Sequence, residues 1–176
     1  MKYARKQNGS GRSGGFAAFA VCSVFLLLGA AAGSFAGSYA DGSGVVLSET
    51  GRGFGECLAL NLLAVGAVML LGSSCVGFIL LPLLCAASGF AAAFAMSAVM
   101  LVRGSWSAAF LSCGWVIALA LPLFTVLCAF AMQASAAALG LLAFGTRPRP
   151  DAASGFIKLL IISAVGAVLL AALQAA

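Results

Sequence analysis

The sequence predicts an all-α fold: a polytopic integral membrane helix bundle of about five transmembrane helices with proline-broken or re-entrant central segments. Three observations carry that prediction. Hydrophobic residues make up 64% of the chain and charged residues only 7%, with a mean hydropathy of +1.18. A soluble domain needs about 25% charged residues to solvate its surface, so this chain needs lipid as its solvent. Second, the apolar residues gather into runs long enough to cross a hydrocarbon core of roughly 30 Å. Third, two of these runs, Cys75–Val102 and Ser105–Phe144, carry an internal proline, Pro82 and Pro122.

Residues 1–15 read as a basic cytoplasmic tail and residues 16–176 as a single transmembrane domain, leaving no room for a separate soluble module. The net charge of +5 does not point to nucleic acid, because its positions are juxtamembrane. Lys2, Arg5, Lys6 and Arg12 precede the first apolar run, and Arg147, Arg149 and Lys158 flank the last. Basic residues in such places set orientation and meet anionic lipid heads. Membrane lipids are therefore expected partners, in a multi-pass membrane protein with its N-terminus in the cytoplasm.

The first helix is predicted at about 16–40. A small-x-small site at Ser38-Tyr39-Ala40 would suit signal-peptide cleavage. The run fills a whole bilayer, however, and leads into more membrane, which favours an uncleaved anchor. No lipobox precedes Cys22, where Val21 stands. The polar stretch Asp41–Glu56 holds three of the four acids and only Arg52 as a base, so it is placed outside. A second helix is expected at 55–71.

The central stretch Cys75–Val102 runs 28 residues without a charge, about 42 Å as a helix. Proline removes an amide donor and clashes with the carbonyl four residues back. The stretch is expected to be a short half-helix, a break between Pro82 and Gly89, and a longer helix from Phe90. A single tilted, kinked helix is the alternative. Glycines at Gly77, Gly89 and Gly114 lower the cost of irregular backbone. Ser105–Phe144 is 40 residues long, about 60 Å if wholly helical. Crossing once, it brings Arg147 and Arg149 out inside, as the positive-inside rule prefers. A fifth helix at 155–174 then ends outside. "CVGFILLPLL" and "CGWVIALALPLF" faintly repeat one another, and paired interrupted segments can mark a midplane transport site.

Catalytic players are scarce. The chain has no histidine, and only Glu56, Arg103 and Lys158 are ionisable near the ends of spans. General acid–base and nucleophilic catalysis lack a base, so the chain is not expected to be an enzyme. Six cysteines, Cys22, Cys57, Cys75, Cys85, Cys113 and Cys128, form no C-x-x-C pair. They read as small interhelical filler, and neither a metal nor another cofactor is expected. Small residues carry more meaning. Gly33 and Gly37 form a G-x-x-x-G pair, and Ser73, Ala86, Ser88, Ala93 and Ser97 line the central stretch. In lipid such residues let helix backbones approach closely.

The run Leu70–Val102, "LLGSSCVGFILLPLLCAASGFAAAFAMSAVMLV", resembles the stage II sporulation protein M family of integral membrane proteins. The matching positions are Leu70-Leu71-Gly72, Ser74, Gly77, and the Gly89-Phe90 pair with Phe94. Gly104 and Leu121-Pro122 are similar to the family's later glycine turn and Leu-Pro. The chain departs where Ile79 replaces a proline, where Leu123 and Phe124 replace polar residues, and in a longer Gly104–Pro122 distance. The resemblance covers roughly Phe54–Met132. It implies a non-enzymatic anchor and scaffold for peptidoglycan-degrading partners, the stage II sporulation proteins D and P, in engulfment during endospore formation. A small transporter or permease subunit is the alternative. Gly72, Gly77, Pro82, Gly89, Phe90, Gly104 and Pro122 are the candidate assembly positions, with Pro82–Phe90 as a buried joint.

Overall fold

Apolar runs with no charge to interrupt them form long helices, because in lipid each backbone amide must find its partner within the segment. The computed structural model describes residues 10–39 and 54–144, and within 157–172 the helical residues 157, 160–161, 163–169 and 171–172. All secondary structure among these residues is helical. Helix α1 spans Ser10–Tyr39, α2 Phe54–Ser73, α3 Gly77–Arg103, α4 Trp106–Ala109 and α5 Trp115–Phe144. The stretches Gly15–Tyr39, Gly77–Val102 and Trp115–Gly140 are long and apolar enough to cross a membrane. Leu58–Ser73 in α2 is a shorter apolar helix. The outer loop predicted after Asp41 and the basic pair Arg147 and Arg149 lie outside the described residues.

The predicted break between Pro82 and Gly89 is absent: α3 runs from Gly77 to Arg103 with Pro82 inside it. Pro82 lies only five residues past the start of α3, where few turns precede it and little helix has to bend. The carbonyl that loses its amide partner there belongs to Phe78. Pro122 likewise sits inside an unbroken α5. Irregular backbone occurs instead at a π-helical turn, Phe110–Gly114, between α4 and α5. Gly114 ends that turn, and a Cβ there would lie 2.7 Å from Cδ2 of the Phe110 ring and 3.4 Å from Met96 Sδ.

Two tight connections fold the helices against each other. Between α2 and α3, the Gly77 amide donates to the Ser74 hydroxyl and carbonyl, each at 3.2 Å. Between α3 and α4, Gly104 is left-handed, with φ 65°, and its amide donates to the Met100 carbonyl at 2.8 Å. Gly104 is the one glycine with positive φ among the described residues, and a glycine at such a position caps a helix without Cβ strain.

The helix directions follow from side-by-side contacts. Gly29, Gly33 and Gly37 of α1 face Ala86, Phe90 and Ser97 of α3 in ascending order, so these helices run parallel. Gly72 of α2 meets Ala131 of α5, while Ser135 of α5 bonds to Ser74 at the α2–α3 turn. Since α5 passes the beginning of α3 near its own end, it runs antiparallel to α3. The core lies where α1, α3 and α5 meet, around Cys22, Leu81, Cys85, Leu127 and Cys128, with Val68 of α2 joining from the side.

Candidate functional site

The most developed contact in the bundle is the seam between α1 and α3. In α1, glycines recur every fourth residue at Gly29, Gly33 and Gly37, which places them on one face. All three are buried. A Cβ at Gly29 would run into the Ala86 carbonyl, and one at Gly33 into the Phe90 carbonyl. At Gly37 it would lie 2.5 Å from Ser97 Cβ. The approach is reciprocal: a Cβ at Gly89 of α3 would run into the Leu26 carbonyl and lie 3.2 Å from the Ala30 amide. Backbone rests on backbone along about three turns, a form of helix association that lipid favours.

The sequence-predicted positions divide between this seam and the turns. Gly89 is in the seam, and Phe90 turns its ring outward to stack on Phe94 at 6.0 Å while its carbonyl backs onto Gly33. Gly72 and Gly77 serve the α2–α3 turn. A Cβ on Gly72 would lie 2.9 Å from that of Ala131, and one on Gly77 would strike the Leu71 carbonyl. Gly104 caps α3. Pro82 is buried and Pro122 exposed, and each lies inside an unbroken helix. The seven positions therefore do not converge on one site. Gly29 belongs with the seam but was not singled out from the sequence; its four-residue spacing from the Gly33–Gly37 pair is the signal that could have found it.

The cysteines converge more than expected. Cys22 of α1, Cys85 of α3 and Cys128 of α5 are fully buried and share one core cluster. All three are free thiols, and no group of three metal-ligating side chains is placed to hold a metal ion among the described residues. The row of thiols fills the junction of three helices with small, polarizable atoms.

On the other side of α3, a pocket of about 390 Å³ opens between α2, α3, α5 and the helical segment 157–172. Leu84, Leu121, Phe124 and Leu127 form much of its wall, with Asn61, Ser88 and Ser163 as its polar side chains. Each of these donates to backbone: Asn61 Nδ2 to the Ala167 carbonyl at 3.4 Å, Ser88 Oγ to Cys85 at 2.8 Å, and Ser163 Oγ to Leu160 at 3.0 Å. Across the described residues, every buried side-chain nitrogen or oxygen has a hydrogen-bond partner.

Comparison with protein-family models, curated proteins and solved structures finds no match. The functional reading therefore rests on the chain itself: a backbone-to-backbone seam, a satisfied polar inventory and an apolar pocket.

Proposed function

We propose that this chain is a non-enzymatic membrane anchor and scaffold subunit of a peptidoglycan-remodelling complex acting in engulfment during endospore formation. The resemblance of Leu70–Val102 to the stage II sporulation protein M family supplies that assignment. The observation that supports it best is the α1–α3 seam, in which four glycines set two membrane helices backbone to backbone. A chain so committed to fixed helix geometry suits holding partners in place. The polar side chains around the pocket donate to the chain's own backbone. In this reading the chemistry belongs to partners outside the membrane, the wall-degrading stage II sporulation proteins D and P, reached through the polar stretch Asp41–Glu56. The same reading has five crossings, a cytoplasmic N-terminus and an external C-terminus.

The alternative, a transporter subunit with a midplane site, draws less support. A polar solute needs unpaired groups to replace its hydration, and the pocket near Pro122 is walled by leucine, alanine and phenylalanine. The test is affinity purification of a tagged chain from cells undergoing engulfment, with crosslinking before solubilisation. Recovery of wall hydrolases is expected. Recovery of a nucleotide-hydrolysing subunit instead, with no hydrolase, would sink the scaffold reading.

A further inference from the structure

We propose that the pocket between α2, α3, α5 and the helical segment 157–172 is a binding site for one aliphatic chain of a membrane lipid. This goes beyond the scaffold reading and does not depend on it.

Depth is the first argument. Ala64 and Val65 lie near the middle of the apolar stretch of α2, Ser88 near the middle of Gly77–Val102, and Phe124 and Leu127 near the middle of Trp115–Gly140. The pocket is thus at mid-height in the bundle. If these helices cross a bilayer, the molecules available at that depth are lipid tails.

Chemistry is the second. The donors of Asn61, Ser88 and Ser163 are directed at backbone carbonyls. Nine of the twelve lining residues are apolar, and cavities lined by apolar side chains stay dry and take apolar guests. Leaving the space empty would forfeit the dispersion contacts of its walls. A hydrocarbon chain restores those contacts and asks for no hydrogen bond.

Size is the third. A volume of about 390 Å³ falls within the range of small-ligand pockets, roughly 300–1,000 Å³. A partner helix about 10 Å across would exhaust it in a single turn. A single flexible chain fits where a helix does not.

The experiment uses the full chain in vesicles doped with a phospholipid that carries a diazirine at mid-chain. After irradiation, labelled positions are mapped by mass spectrometry. Labelling on pocket residues such as Leu84 and Leu127 is expected to exceed that on the outward-facing Leu27 and Leu28 of α1 roughly tenfold, the factor given by about 1.4 kcal/mol of preference. Ala64→Phe and Ala120→Phe each fill the pocket and should reduce its labelling to the outer-face level while labelling on α1 stays unchanged. Equal labelling of pocket and outer face in the unaltered chain overturns the proposal, because the groove is then merely wetted by bulk lipid. So does pocket labelling that survives both substitutions. If neither variant folds, the ratio in the unaltered chain decides alone. A failed hydrolase pull-down leaves this result untouched, so the two readings fail separately.

Discussion

Gly89 and Cys85 lie one helical turn apart on α3, both buried, and they respond to substitution in opposite ways. A side chain at Gly89 has nowhere to go, because the Leu26 carbonyl and the Ala30 amide already occupy the position of a Cβ. Gly89→Leu must push α1 from α3. Overpacking typically costs about 1–3 kcal/mol, and the upper end is expected here because the obstacle is backbone. The variant should accumulate to a lower level and melt earlier in detergent. Cys85→Ser is the control. Serine nearly matches cysteine in size and shape, so it fills the same buried space beside Cys22 and Cys128, and melting and function should change little. A silent Gly89→Leu with a disabling Cys85→Ser would hand the site to thiol chemistry. Ser135 gives a milder test, since its hydroxyl donates to the Ser74 carbonyl at 2.6 Å, tying α5 to the α2–α3 turn. Ser135→Ala should destabilise by about 1 kcal/mol, read as a lower melting midpoint with unchanged helix content. At this scale the sequence was partly legible. Gly33 and Gly37 announce a packing face by spacing alone, whereas the meeting of Cys22, Cys85 and Cys128 depends on which helices become neighbours, and nothing local encodes that.

At the scale of the element, helix existence was legible among the described residues, because uncharged apolar runs have no other way to satisfy their backbone in lipid. Helix irregularity was legible at Gly114, which ends the π-turn, and not at the prolines. Proline is the visible breaker, yet α3 passes through Pro82 and α5 through Pro122 without interruption. Each ring sits in the first third of its helix and costs one hydrogen bond at most, which a long transmembrane helix tolerates. The π-turn at Phe110–Gly114 ends instead at a glycine whose Cβ would crowd the Phe110 ring and meet Met96 of α3, and the Met96 contact is a tertiary fact that sequence does not display. The contrast is testable. Pro82→Ala should leave protein level and melting near those of the parent chain, as restored hydrogen bonding offsets lost ring contacts. Gly114→Leu should lower both, because its side chain collides with Phe110 and Met96. A large loss from Pro82→Ala with none from Gly114→Leu would return the hinge to the proline.

For the whole molecule, helix directions and charge placement can be argued together. Helices α1 and α3 run parallel through the Gly29, Gly33 and Gly37 contacts, and α5 runs against them. Asn61 of α2 shares the pocket with Leu121 and Phe124, and farther along Gly72 meets Ala131, so α2 runs with α5. Four helices thus alternate in direction. The start of α1, the α2–α3 turn and the end of α5 lie at one end of the bundle, and the end of α1, the start of α2 and Gly104 at the other. In sequence, Lys2, Arg5 and Lys6 precede α1, Arg12 lies in its first turn, and Arg147 and Arg149 follow α5. The acids Asp41 and Glu49 fall, in sequence, between α1 and α2. In the topology proposed above, the positive-inside rule puts the end that these basic residues flank in the cytoplasm. In a cysteine-free background, Thr146→Cys should resist a membrane-impermeant maleimide in intact protoplasts and react after lysis, and Ser43→Cys should react before it. Reaction of Thr146→Cys in intact cells, with Ser43→Cys protected, would invert the orientation. Reaction of both would mean that the long helical run from Trp106 to Phe144 does not carry the chain back across the membrane.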